Sequence, residues 1–193
     1  MRFYVSLFRI ACLAAIACVA VMPAHAAARA SDSAPSPRCT AFASAPWVNG
    51  PTPRLKLEAF SDGPSCAKAV AVITIRNAAG SVLFSHSYIG EVLAPTSGVR
   101  TIVQMRAALN SWLQAGRDRS IHANLPNWVA GADGPVDTEF PFMPDETITR
   151  ADYLAIKANR TPIVCYVQGM ESLNCLVYRN GDMEPFGIQT FPG

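Results

Sequence analysis

The sequence predicts an α+β fold: an antiparallel sheet built from an N-terminal three-strand meander and a C-terminal disulfide hairpin plus edge strand, with two helices between them. Three observations carry that prediction. Apolar and polar residues alternate with period 2 towards both ends of residues 38–193, whereas the 3.6-residue period is confined to the middle. Four cysteines lie where they can staple such strands. Strands grouped apart from helices, instead of alternating with them, favour antiparallel pairing.

Residues 1–26 read as a bacterial secretory signal. Arg2 and Arg9 form a basic start, and Ile10 to Met22 is an apolar run of 13 residues. Pro23 breaks that run ahead of Ala24-His25-Ala26, an A-x-A cleavage site. The run is too short for a membrane span, which needs ~20 residues. A lipoprotein reading of Cys18 is the alternative, but Ala15 stands where the lipobox has leucine. Residues 27–37 are small, Ser- and Pro-bearing and aperiodic, as in a flexible leader. Residues 38–193 then form a single α+β domain, expected in the periplasm or outside the cell.

Cleavage removes two of the 16 Lys and Arg, leaving 14 against 14 Asp and Glu. A neutral mature chain with no basic run lacks the electrostatic footprint of nucleic-acid binding. No second apolar segment of membrane length follows Met22, so no transmembrane segment is expected after cleavage.

Cys39, Cys66, Cys165 and Cys175 remain, and an even count in an exported chain reads as disulfides. The C-terminal pair follows from register. If 163–168 and 172–179 form a hairpin around Gly169-Met170-Glu171, Cys165 faces Cys175, Ile163 faces Val177 and Val167 faces Leu173. All six then share one apolar face, with Tyr166 and Asn174 on the other. That leaves Cys39 for Cys66. Loop entropy assigns about 3 kcal/mol to the shorter loop and about 3.5 to the longer. Gaps of 26 and nine residues do not match compact zinc spacings, so no metal is expected.

The elements follow in order. Leu55, Leu57 and Ala59 alternate with Lys56 and Glu58 as in a half-buried strand. Ala69–Ile75 is apolar and β-branched, suiting a strand covered on both faces. After a turn at 76–80, Ser81–Ile89 resumes as the third strand. A helix over 98–115 places Ile102, Met105, Leu109, Trp112 and Leu113 on one face, with Thr96 or Ser97 as cap and Gly116 as stop. A second helix, from Thr149 to about Ala158, opens on the capping box Thr149-Arg150-Ala151-Asp152, with Ile148 positioned to staple against Tyr153. The hairpin is followed by Asn180-Gly181, which suits a type I′ turn. The last strand ends at Phe191, and Pro185 marks it as an edge strand.

Catalytic motifs are missing: there is no G-x-S-x-G, H-E-x-x-H, P-loop or Rossmann fingerprint, and no cofactor is expected. His86 shares a strand face with Val82, Phe84 and Tyr88 and reads as a partly buried structural histidine. Residues 117–147 form a stretch without a convincing element, long for a compact domain. It holds His122, Asp133, Met143, Asp145 and Glu146, and the nominated binding residues Trp128, Asp137, Glu139, Phe140 and Phe142. Aromatics beside carboxylates on a loop suit a peptide or glycan, while the competing reading packs those rings beneath the loop. The expected function is a small non-catalytic binding, inhibitor or accessory protein acting on an envelope protein or glycan. The alternative is a small periplasmic hydrolase using acidic residues of the loop such as Asp137 and Glu139.

Overall fold

The structure is a computed structural model that describes residues 38–47, 54–118, 125–136 and 139–190, with the backbone alone at 115–118. The expected signal peptide at 1–26, the leader at 27–37, His122 and Asp137 lie outside these residues. All described residues belong to one compact unit, 32–193.

The fold is α+β and antiparallel throughout, with two helices. Strands β1 (Ala41–Trp47), β2 (Leu55–Asp62), β3 (Val70–Arg76) and β4 (Val82–Ile89) pair in sequence order. Helix α1 spans Ile102–Asp118, strand β5 Phe142–Pro144 and helix α2 Arg150–Ala158. Strands β6 (Ile163–Val167), β7 (Ser172–Arg179) and β8 (Asp182–Thr190) join β5 in a second sheet ordered β5-β8-β7-β6. The expected meander therefore gains a strand at its start, the C-terminal strands gain β5, and the two groups form separate sheets.

Alternation explains the first sheet. Ala41, Ala43, Ala45 and Trp47 point inward from β1, and Leu55, Leu57 and Ala59 from β2. The small alanines admit α1, which packs against β1, β2 and β6. Met105, Leu109, Trp112 and Leu113 are buried there, as the helical period requires. The cap differs from expectation. Thr101 and Gln104 form a reciprocal box, the Gln104 amide donating to Thr101 Oγ1 at 3.2 Å and the Thr101 amide to Gln104 Oε1 at 3.1 Å. Thr96 is committed elsewhere, its hydroxyl donating to the Gly90 carbonyl at 2.8 Å. The helix also continues through Gly116, which costs only ~1 kcal/mol against alanine. The outer face of β3 is not covered along its length: Val70 there is exposed, as are Phe60 of β2 and Phe42 of β1 on the same face of the sheet.

The C-terminal hairpin has the expected register: Cys165 opposes Cys175, Ile163 opposes Val177 and Val167 opposes Leu173. Both disulfides form, with Cα separations of 4.8 Å for Cys39–Cys66 and 4.0 Å for Cys165–Cys175. The disulfide face meets α2 in a core holding Phe142, Tyr153, Ile156 and Phe186. The opposite face is not simply polar: Val164, Tyr166, Leu176 and Met183 join the core of the first sheet. The α2 capping box is present, Thr149 Oγ1 accepting from the Asp152 amide at 3.1 Å. Asn180 and Gly181 take φ of 56° and 87°, the left-handed pair a type I′ turn needs. β8 is an edge only in part. β5 pairs with it at 187–189, and Pro185 precedes that stretch beside a register shift, where no ladder donor is required of it.

Candidate binding site

The nominated loop is tied down by α2. Tyr153 Oη donates to the Pro126 carbonyl at 2.8 Å, and Lys157 Nζ donates to the Leu125 carbonyl at 2.7 Å and to Asn127 Oδ1 at 2.8 Å. Arg150 Nε donates to the carbonyls of Trp128 and Val129 at 3.0 and 3.1 Å. A 3.6-residue period places these side chains one turn apart, so one helix supplies donors along an irregular segment. That segment's own backbone bonds, Val136 amide to Asn127 carbonyl at 2.8 Å and Ala132 amide to Val129 carbonyl at 3.4 Å, leave other carbonyls to be satisfied by side chains.

The nominated residues are dispersed. Phe142 is 6% exposed, its ring 6.0 Å from Tyr153 and 5.0 Å from Phe186. Trp128 is half-buried, edge-on to Tyr153 at 5.4 Å, and its Nε1–H donates to the Ala132 carbonyl at 2.9 Å. Those two rings meet around Tyr153 inside the core. Glu139 and Phe140 face solvent, Phe140 being 42% exposed.

Immediately after them the chain enters a groove that the second sheet builds. Cross-strand partners Tyr166, Asn174, Ile188 and Met143 follow one another across β6, β7, β8 and β5 on one face. Exposure rises along the row, from 1% at Tyr166 to 36% at Ile188 and 52% at Met143. The outer part of the row borders an open groove of about 570 Å³, closed by Glu146, Thr147 and Gln168. Asp145 in its wall accepts from the Thr147 hydroxyl at 2.7 Å and amide at 3.0 Å, which hold its carboxyl below the usual range. It stays ionised and serves the turn.

A polar chain leads from the groove into the core. Asn174 Nδ2 donates to Tyr166 Oη at 2.9 Å, and the hydroxyls of Tyr166 and Tyr88 lie 3.0 Å apart. Burial pushes both phenols up, so they remain neutral hydroxyls and hydrogen-bond as such. The polar chain ends at β4, where Phe84 and Tyr88 pack against the core and His86 lies between them on the same inward face. His86 is exposed, contrary to expectation: its ring stacks parallel to Phe84 at 6.3 Å and tilts against Tyr88 at 4.7 Å. It points inward from the last strand of the sheet, where its ring stays exposed among the described residues. A second groove, about 470 Å³ beside Arg54, Lys56 and Arg76, is less distinctive, since Glu58 pairs with both Lys56 and Arg76 at 2.6 and 2.8 Å.

Sequence reasoning thus missed Asn174, Gln168 and Ile188. One signal was available: Asn174 is a lone polar residue between Leu173 and the Cys175–Val177 run of an otherwise apolar strand core. Among the described residues no group of three or more His, Cys, Asp and Glu could hold a metal, and no helix is long and apolar enough to cross a membrane. No protein-family model, curated protein or solved structure matches the chain.

Proposed function

We propose that this chain is a non-catalytic binding protein of the bacterial envelope, exported by its N-terminal signal, and that it holds an envelope protein or glycan in the groove of the second sheet. The observation that carries the reading is the groove itself. Apolar Met143 and Ile188 rim it, while the amides of Asn174 and Gln168 offer neutral hydrogen-bonding groups beside them. Concave surfaces that combine exposed apolar area with a few fixed polar groups suit recognition. The phenols behind the groove are neutral and Asp145 is engaged in its turn, so these groups orient a ligand more readily than they transfer protons. The two disulfides fit an oxidising compartment, either the periplasm or the exterior.

Photo-crosslinking tests the reading. A benzoylphenylalanine placed at Ile188 should capture a partner from periplasmic extract or from fragments of cell-wall glycan. The same probe at exposed Ser44 should not, and Met143→Glu should abolish capture while leaving the melting temperature unchanged. Equal labelling from both positions refutes the groove. Hydrolysis of a glycan substrate that disappears in Glu139→Gln would return the protein to the hydrolase class.

A further inference from the structure

Sheet edges invite pairing with other chains, and proteins blunt them with proline, charge, short strands or covering elements. Three edges here are blunted. β1 contains Pro46; β5 has three residues and ends at Pro144; β6 is covered by α1, whose Trp112 Nε1–H donates to the Val167 carbonyl at 2.8 Å. β4 is different. It runs for eight residues without proline or any Asp, Glu, Lys or Arg, and among the described residues it pairs only with β3. Its register against β3 is unbroken from Phe84 to Ile89.

We propose that β4 is the interface between two copies of this chain, paired antiparallel across a two-fold axis at His86. Two facts select a second copy over another strand. The first is a symmetry requirement. Opposed residues in an antiparallel pair alternate between hydrogen-bonded and non-hydrogen-bonded classes, while two-fold-related pairs must belong to the same class. A symmetric pairing must therefore centre on one residue. The second is the sequence on either side of that residue. Phe84-Ser85-His86-Ser87-Tyr88 is a chemical palindrome about His86. Centred there, Phe84 of each copy faces Tyr88 of the other, Ser85 faces Ser87, and the imidazoles face each other. Aromatic rings oppose aromatic rings on the inward face and hydroxyls oppose hydroxyls on the outer face, pairs that stabilise antiparallel strands. Centring one residue earlier would set Leu83 against Ser87, and one residue later Ser85 against Ile89. The two four-stranded sheets become one of eight strands, and the exposed His86 ring is enclosed between aromatic neighbours of both copies.

Sedimentation velocity of the mature protein tests this. A dimer is expected by about 100 μM. His86→Lys sets two ammonium groups opposite each other and should weaken association by at least about tenfold, with the melt unchanged because the site is exposed. His86→Cys should form an interchain disulfide on mild oxidation, since opposed Cα atoms at the axis are about 4.5–5.5 Å apart, whereas Ser44→Cys should not. A wild-type chain still monomeric at that concentration overturns the proposal and leaves the edge to a foreign strand. A dimer indifferent to His86→Lys, or one that His86→Cys fails to cross-link, overturns it equally.

Discussion

Replacing Phe142 by alanine separates a working loop from a packed one. The ring lies between Tyr153 and Phe186, both fully buried. It also rests against the backbone of Gly187 so closely that a Cβ built there would stand 2.7 Å from Phe142 Cζ. Neighbours fixed by a helix, a strand and a disulfide-bonded hairpin can collapse only partly into the space left behind. The full core penalty for Phe→Ala, about 3–5 kcal/mol, is therefore expected. For a domain of this size each kcal/mol lowers Tm by roughly 2–4 °C, so the melt should fall by roughly 6–20 °C. Near-UV circular dichroism on heating, with a urea titration for the free energy, measures it. Glu139→Gln, three residues away and exposed, is the control and should stay within about 0.5 kcal/mol of the parent. Trp128→Ala, half-buried, should fall between the two. A Phe142→Ala melt within 2–3 °C of wild type, on the order of one kcal/mol, would refute the packing argument.

Other outcomes follow from the same geometry. Gly187→Ala should destabilise by more than about 1 kcal/mol and expose the β5 amides to hydrogen exchange, because its Cβ collides with the Met143 carbonyl. Peptide mapping without reduction should recover Cys39–Cys66 and Cys165–Cys175, and the Cys165→Ala/Cys175→Ala double variant should lose about 3 kcal/mol. Lys56, then Arg76, hold the Glu58 carboxyl below its usual range. Its contribution is therefore complete above an unfolded pKa of about 4.3 and is lost as pH falls through the lower folded value. Glu58→Gln should accordingly lower the urea midpoint at pH ~7, and the gap to wild type should shrink near pH ~3. Intact mass of the exported protein should place its N-terminus at Ala27.

The C-terminal hairpin was readable because Ile163, Cys165, Val167, Leu173, Cys175 and Val177 must share a face, and a slip by one residue would turn them all to the other. β1 was not readable. Its inward residues are mostly alanines, sized for α1, while exposed Phe42 is the larger apolar residue and inverts the pattern. β5 exists only because β8 offers a partner, a non-local fact with no trace in three residues. The helix cap was legible in kind but misplaced, since Thr101-Ile102-Val103-Gln104 carries the same box that marked α2. The groove was partly legible. Solvent-facing Glu139 and Phe140 lead into it, but alternation reports only which way a side chain points. It cannot report whether another layer covers that direction, and this separates exposed His86 from buried Ile73 beside it in the sheet.

The four cysteines of the fold bond in order of appearance: Cys39 to Cys66, then Cys165 to Cys175. If residues 1–26, with Cys12 and Cys18, leave as a signal, a chain emerging N-terminus first presents Cys39 and Cys66 well before a third thiol of the fold exists to compete with them. Oxidation in order of emergence then yields the native bonds with no exchange step, and an isomerase has nothing to correct. Each bond also closes within the segment that builds one sheet. A protease cut between 125 and 136 leaves no covalent tie between the halves, so the nicked protein separates into two fragments on a denaturing gel without reductant. Only the shared core would have kept them together.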